Sequence, residues 1–133
     1  MKDRYSYIAI FSYDDDGINI RFPDLPGCFT CAEKDDNEEA IYYAKDVLGL
    51  FMYGLEKDNE SIPSPTPINK ITLEKNEVPV LIDVYMPAVR AKIKDHFVKK
   101  TLSIPAYLNA KAIDMGINFS QVLQEALKEK IEK

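Results

Sequence analysis

The chain has 133 residues, of which 46% are hydrophobic and 29% charged, a composition typical of a globular protein. No apolar run approaches the ~20 residues that a membrane span requires, and two cysteines are too few for a secreted disulfide framework. The N-terminus lacks a small-residue cleavage site, so we expect no signal peptide and a cytoplasmic protein. The length fits one domain, or one small domain and an added module.

The net charge of −5 is unevenly distributed along the chain. Residues 1–60 contain 6 Lys or Arg and 14 Asp or Glu, whereas residues 90–133 contain 9 and 5. This asymmetry indicates two parts with different partners. The basic tail could face a polyanion. The acidic front could face a basic protein, or it could be a well-solvated surface.

Three strands are predicted at the start of the chain. Residues 5–13, "YSYIAIFSY", are aromatic and β-branched, and residues 18–22, "INIRF", alternate between apolar and polar. Between them "DDDG" predicts a hairpin turn, because Gly17 tolerates a positive φ. "PDLPG" is a loop, in which Gly27 allows a turn where a side chain would clash, and "CFTCA" is a plausible third strand.

A long helix follows the third strand. Asp36 is the expected N-cap, and Glu39 three residues later completes a capping box. Apolar residues then recur at helical spacing to about Glu56. The predicted core face comprises Ala40, Ile41, Ala44, Val47, Leu48, Phe51 and Leu55. Tyr42 and Tyr53 could stack on a partner or belong to the domain surface.

Beyond this helix the prolines of "KDNESIPSPTPIN" predict an extended connector. "VPVLIDVYM" is a strand, apolar almost throughout, and therefore expected to be buried on both faces. The order β-β-β-α-β indicates a small α+β domain. Residues 87–95 predict a short basic helix or linker with Pro87 in its first turn.

Residues 98–133 predict one strand and two helices. In "KKTLSIP", Leu102 and Ile104 point to one side of the strand. Pro105 ends it, a helix runs over about residues 106–115, and Gly116 is its left-handed C-cap. Asn118 or a neighbour caps the second helix, whose apolar face comprises Val122, Leu123, Ala126, Leu127 and Ile131. So short a segment cannot bury a core of its own.

The stretch "FPDLPGCFTCAEKDDNEEAIYYAKDVLGLFM" resembles the HicB antitoxin family, and the resemblance covers about residues 5–86. It implies a partial, degenerate ribonuclease H-like fold that binds a small ribonuclease toxin of the HicA type. Such a role requires no catalytic residue, metal or cofactor.

A nuclease activity of the chain itself is disfavoured. A ribonuclease H site needs carboxylates from different strands around two Mg²⁺ ions. Residues 14–16 are adjacent in one turn, and Asp83 has no evident companion on the first strand. Cys28 and Cys31 have a C-x-x-C spacing, but residues three apart on a strand point to opposite faces. Buried structural cysteines are therefore expected rather than a zinc site, and His96 is expected to be a linker residue.

The tail resembles the ribbon-helix-helix repressors across residues 98–131. That resemblance implies a homodimer whose paired strands form a ribbon in the major groove of DNA, with association into a higher oligomer left open. The outward side chains that would contact bases are Lys99, Thr101 and Ser103. Phosphate contacts are expected from Lys94, Lys100, Asn118, Phe119 and Ser120, with further positive charge from Arg90 and Lys92.

We therefore divide the chain into a toxin-binding domain (1–88), a basic linker or short helix (89–97) and a ribbon-helix-helix domain (98–133). The expected function is that of an antitoxin which neutralises a HicA-type, mRNA-cleaving ribonuclease toxin and represses its own operon. The alternative is a stand-alone DNA-binding transcriptional regulator without a toxin partner. A third possibility is that the tail serves dimerisation alone.

Overall fold

The computed structural model describes residues 2–94 and 97–132. It divides the chain into two compact units, residues 1–96 (unit 1) and residues 97–133 (unit 2). Asp95 and His96, which fall in the predicted linker, lie outside the described residues. None of the described helices is long and apolar enough to cross a membrane.

Unit 1 is an antiparallel sheet covered by a long helix. Its elements in chain order are β1 (Arg4–Asp14), β2 (Gly17–Arg21), β3 (Phe29–Ala32), α1 (Asn37–Lys57), β4 (Glu77–Tyr85) and α2 (Met86–Lys94). The four strands lie in the order β3-β2-β1-β4, and each neighbouring pair is antiparallel. The predicted α+β class and the order β-β-β-α-β are confirmed.

The β1–β2 hairpin depends on Gly17. This residue pairs with Asp14 across the turn and has a φ of +152°. A Cβ added to Gly17 would lie 2.7 Å from the backbone oxygen of Ala32, closer than side-chain carbons approach. Glycine is therefore required both by its backbone conformation and by the close approach of β3.

Helix α1 begins as the capping pattern predicts. The Asp36 carboxylate accepts a hydrogen bond from the Glu39 backbone N–H at 3.0 Å. The Asp36 N–H bonds instead to the Glu33 carbonyl, so the reciprocal half of the capping box is absent. One side of α1 packs on the sheet, where Ala40, Ala44, Leu48 and Met52 are fully buried.

The "FPDLPG" loop holds the proline-rich connector in place. The Asp24 carboxylate accepts hydrogen bonds from the backbone N–H and the hydroxyl of Thr66, at 2.8 and 2.6 Å. The Tyr7 hydroxyl donates to the Pro63 carbonyl. Gly27 has a φ of +93°, but an added Cβ would make only an ordinary contact. Glycine is therefore favoured at position 27 by its backbone conformation. The expectation that a side chain would clash there was wrong.

Strand β4 differs from its prediction. Only Ile82 and Val84 are buried, while Leu81 is 61% exposed. The expectation of burial on both faces was wrong because β4 is an edge strand with α1 on one side only. Its apolar residues cover the core with one face and remain open to solvent on the other.

Helix α2 is fixed to α1 and β1 by a nearly buried ion pair. The Arg90 guanidinium donates to both Glu56 oxygens, at 3.1 and 2.8 Å, and to the Lys2 carbonyl. The Tyr5 hydroxyl donates to the same Glu56 carboxylate. Nearby, Gly49 lets α2 approach closely, since a Cβ there would lie 3.0 Å from Val89.

Unit 2 consists of an extended start and two helices, α3 (Ala106–Asp114) and α4 (Phe119–Ile131). The N–H groups of Gly116 and Ile117 bond to the carbonyls of Ile113 and Ala112, and Gly116 has a φ of +70°. These two bonds form a Schellman motif, so the predicted C-cap is confirmed. Residues 97–105 do not form the predicted strand, because a strand requires a paired neighbour and no described residue supplies one.

Candidate interaction surfaces

Unit 2 has no closed core. None of its residues from 97 to 132 is buried, and only Ala112 and Leu123 are partly buried. Phe119, for example, is 44% exposed although its ring is wholly apolar. Uncovered apolar side chains on this scale mark an interaction surface in a protein that is otherwise well packed.

Many of the exposed apolar residues of unit 2 line a groove, which we call the unit 2 groove. It has a volume of about 590 Å³ and is lined by the extended segment and by both helices. Its apolar lining comprises Leu102, Ile104, Leu108, Ala112, Ile117, Phe119, Val122, Leu123 and Ala126. Lys100, Asn109 and Ser120 complete the lining. The alternating positions 100, 102 and 104 thus face the groove.

The predicted base-contacting residues lie outside this lining. Lys99, Thr101 and Ser103 are all exposed and alternate with the groove residues. Alternation with a period of two is the pattern of extended chain. The structure therefore separates these three side chains from the apolar set.

The predicted phosphate-contacting residues are divided between the units. Lys94 ends α2 in unit 1, whereas Lys100 lies on the groove side of unit 2 beside Phe119 and Ser120. The Asn118 carboxamide oxygen accepts the Gln121 N–H at 3.1 Å, which confirms Asn118 as the N-cap of α4. This cap uses only the side-chain oxygen, an acceptor. The donors that a phosphate would need in the first turn of α4 are the Asn118 Nδ2 group and the backbone N–H groups.

Arg90 has a different environment from the other basic residues near the end of unit 1. Its pairing with Glu56 leaves little of its charge exposed, which corrects its inclusion among the charges expected to face DNA. The same pairing, through the Arg90 hydrogen bonds, holds the pKa of Glu56 below its usual value. Arg90 thus stabilises the fold rather than an external contact.

The outward face of unit 1 carries further apolar side chains on α1. Ile41, expected in the core, is 40% exposed, and Tyr42 is 56% exposed. Leu50 and Tyr43 are also exposed large residues of this helix. The sequence alone left open whether Tyr42 stacks on a partner or belongs to the domain surface. The signal that could have found Leu50 is its spacing of eight residues from Tyr42, which places both on one side of a helix.

The open face of the sheet is balanced in charge. Arg4 pairs with Asp83 at 2.9 Å and Arg21 with Glu77 at 2.6 Å. The Arg21 hydrogen bond is the main cause that lowers the pKa of Glu77 to about 2. Asp83, considered above as a candidate metal ligand, is therefore a partner in a cross-strand ion pair. Among the described residues, no group of three or more His, Cys, Asp or Glu side chains could hold a metal ion.

The two cysteines lie on opposite sides of the β3 region. Cys28 is buried among the core residues, and burial raises the pKa of its thiol to about 12. Cys31 is exposed, so the expectation of two buried cysteines is wrong for this residue. The opposite orientation expected from their spacing is confirmed.

One family model matches most of the chain. Residues 6–127 match the model of the HicB-like antitoxins of bacterial toxin-antitoxin systems. A protein of Haemophilus phage HP1, known as an uncharacterized 14.9 kDa protein of the rep-hol intergenic region, is 28% identical over 96 residues, which are 70% of this chain and 68% of that protein.

Two solved structures are similar over nearly the whole chain. A chain of a toxin-antitoxin complex from Streptococcus pneumoniae is 25% identical, with a TM-score of 0.56 and coverage of 96% of this chain and 99% of that one. The Burkholderia pseudomallei antitoxin HicB shares the fold at 16% identity, with a TM-score of 0.51 and coverage of 98% and 99%. Since the family model spans most of its length, this chain belongs to the HicB-like antitoxin family.

Proposed function

We propose that this chain is a cytoplasmic antitoxin with two binding activities. Unit 1 binds and neutralises a small HicA-type ribonuclease toxin that cleaves mRNA. Unit 2 pairs with a second copy as a ribbon-helix-helix dimer and represses the operon that encodes both proteins. Membership in the HicB-like antitoxins supports the first activity, and the open groove of unit 2 supports the second.

The observation that carries the dimer is the absence of any buried residue in residues 97–132. Two short helices leave their apolar sides in water unless another surface covers them. A second copy is the occupant that suits the extended segment best, since two copies can pair their segments antiparallel. Each strand then gains the neighbour that it lacks in one chain.

In such a ribbon the groove side would face the shared core and the other side would face outward. Lys99, Thr101 and Ser103 would then lie on the outer surface, where a two-stranded ribbon fits the major groove of DNA. Lysine can donate to guanine, and hydroxyl groups can contact either kind of base edge. These three residues are the proposed readers of the operator.

The remaining contacts would position the ribbon on the DNA backbone. The free N–H groups in the first turn of α4 and the Ser120 hydroxyl can bind a phosphate. Lys94 would add charge that is independent of sequence, whereas Lys100 lies on the groove side and would face the shared core. Arg90 is excluded from this set because Glu56 already neutralises it.

The acidic character of unit 1 supports binding of a basic toxin. Residues 1–96 contain 11 Lys or Arg and 18 Asp or Glu, a net charge of −7. A ribonuclease must hold polyanionic RNA and therefore carries a cationic surface. Opposite charges would speed the encounter and make the association rate fall with salt.

The test combines toxicity and repression in cells. The full chain should restore growth to cells that express the neighbouring small ribonuclease, and it should silence a reporter driven by its own promoter. Leu102→Lys should release the reporter, because a charge would then lie in the shared core. If the full chain does not restore growth to these cells, the antitoxin role is contradicted. A reporter that remains silent with Leu102→Lys would contradict repression through the unit 2 groove.

A further inference from the structure

The side of helix α1 opposite its core exposes large aromatic and aliphatic residues beside acidic ones. An exposed helix side is normally polar, whereas here Tyr42 is 56% and Leu50 53% exposed. Tyr42, Asp46 and Leu50 are spaced by four residues, so they form one row along the helix. Glu39 and Tyr43 flank this row. We call these five residues the α1 outer face.

The aromatic part of this face is held in a defined arrangement. The rings of Tyr42 and Tyr43 meet edge to face, with centroids 5.8 Å apart. The Glu39 carboxylate beside Tyr43 raises the pKa of that phenol by accepting a hydrogen bond from it. Tyrosines of this kind supply large contact area at low conformational cost, which is why they recur at the centres of protein interfaces.

The carboxylates of the α1 outer face form no ion pair with any residue that the structure describes. The ion pairs among the described residues join Arg4 to Asp83, Arg21 to Glu77 and Arg90 to Glu56, all away from this face. From residue 33 to residue 46 there are six acidic and two basic residues. This side of unit 1 therefore holds uncompensated negative charge.

A second acidic segment lies at the same end of the helix. The Tyr13 hydroxyl donates to the Asn37 side chain at 2.9 Å, which brings the end of β1 to the start of α1. Asp15 and Asp16 follow in the β1–β2 turn, whereas the Asp14 carboxylate accepts hydrogen bonds from the Asn19 and Asn76 side chains. The negative potential of the α1 outer face is thus extended rather than balanced by the neighbouring hairpin.

The open sheet face is the competing surface on unit 1, and it differs in charge. Phe29 and Leu81 are exposed there, but both arginines of this face are paired with carboxylates. Such a surface is nearly neutral and offers a basic partner no electrostatic advantage. The α1 outer face combines exposed aromatic residues with unpaired acids, so it suits a basic protein better.

We propose that the α1 outer face is the docking surface for the toxin, and that it meets a cationic surface of that protein. This inference rests on the proposed antitoxin function and specifies where unit 1 binds. Tyr42 and Leu50 form the apolar centre of the contact, and Glu39 and Asp46 supply its charge.

The first experiment measures binding of the full-length chain to the purified toxin encoded in the same operon, by calorimetry. Tyr42→Ala and Leu50→Ala should each weaken binding about tenfold or more, as truncation of a central interface residue does. Phe29→Ala and Leu81→Ala are matched controls, because they remove apolar side chains of the sheet face that are at least as exposed. These controls should bind within about twofold of the wild type.

A second pair of variants separates docking from overall charge. Asp46→Lys and Asp58→Lys change the net charge equally, but Asp58 caps the far end of α1. Long-range steering should fall alike in both variants. Only Asp46→Lys should weaken binding by a further tenfold or so, since it alone places a cation within the contact.

A footprint on the wild-type chain gives a readout that needs no variant. Hydroxyl-radical oxidation of Tyr42 and Tyr43 should fall when toxin is added, while oxidation of Phe29 should not change. If Phe29 is protected and Tyr42 is not, the docking surface proposed here is wrong and the antitoxin function stands. If the wild-type chain binds no toxin, the antitoxin function itself fails, and this surface fails with it.

Discussion

Side chains of the same kind are buried in unit 1 and exposed in unit 2. Phe11 of unit 1 is 1% exposed, whereas Phe119 of unit 2 is 44% exposed. Leu48 on α1 is fully buried, and Leu108 on α3 is nearly half exposed. The difference arises because α1 lies on a four-stranded sheet, while α3 and α4 have only a short extended segment beside them. Local sequence signals specify the helices of both units, but only unit 1 contains the surface that covers them.

The largest effect is expected where unit 1 is best packed. Phe11→Ala should lower the free energy of unfolding of unit 1 by about 3–5 kcal/mol, because the ring leaves a cavity between sheet and helix. Phe29→Ala removes the same ring from an exposed position and should change the free energy of unfolding by less than about 0.5 kcal/mol. Urea denaturation of the full chain measures both values. Similar losses for the two variants would show that unit 1 lacks the closed core described here.

The ion pair that attaches α2 should come next in size. Arg90→Ala should destabilise unit 1 by about 1.5–3 kcal/mol, because the nearly buried Glu56 carboxylate loses its charged donor. Thermal unfolding of Arg90→Ala measures this loss. Lys92→Ala, at an exposed position of the same helix, is the control. An Arg90→Ala variant as stable as Lys92→Ala would contradict the role assigned to this pair.

The same pair has a defined dependence on pH. The pKa of Glu56 is lower in the folded chain than in the unfolded one. Its contribution is therefore complete above the unfolded pKa of about 4.3 and is lost as pH falls through the folded pKa. In Arg90→Ala this component of the acid destabilisation should disappear. Identical stability-pH profiles below pH 5 for wild type and variant would oppose this assignment.

The outward residues of unit 2 should alter DNA discrimination without affecting assembly. Lys99→Ala and Thr101→Ala should each weaken operator binding by about 1–3 kcal/mol while changing binding to random duplex much less. Ser120→Ala should weaken both duplexes alike, since phosphate contacts carry no sequence information. Titrations at two salt concentrations measure these effects. An unchanged ratio of operator to random affinity would mean that the ribbon does not read the bases.

The smallest effects are predicted for substitution of one glycine in each unit. Gly116→Ala forces a left-handed φ of +70° on alanine and should destabilise unit 2 by about 1 kcal/mol. Gly54 lies within α1 with open space around it, so Gly54→Ala should stabilise unit 1 by about 0.5–1 kcal/mol. Circular dichroism melts measure both shifts, and shifts of the same sign would contradict the backbone argument.

Features set by neighbouring residues could be predicted from the sequence. Asp36 and Asn118 cap their helices and Gly116 ends α3 because each acts within a few residues along the chain. The strands of unit 1 followed from their apolar patterns. Their order with the helix, β-β-β-α-β, needs no tertiary information, because it is the order of the predicted elements along the chain.

Features set by distant residues could not be predicted in this way. Arg90 was read as a free charge because Glu56, its partner, lies 34 residues away. Leu81 was expected to be buried because its strand is apolar throughout, and only the sheet order shows that one face is open. The exposure of Ile41 likewise depends on the exact direction in which α1 meets the sheet. Distinguishing a partner-binding surface from a core requires this tertiary information.

The central claim is that unit 2 completes its core only with a second copy of itself. Sedimentation equilibrium of the full-length chain tests it most directly, with Leu102→Lys as the variant and Lys99→Ala as the control on the opposite side of the same segment. The wild type and Lys99→Ala should sediment at micromolar concentration as a dimer or a larger assembly, and Leu102→Lys should sediment as a monomer with unit 1 still folded. A wild-type chain that is monomeric at this concentration, with α3 and α4 intact, would contradict the account.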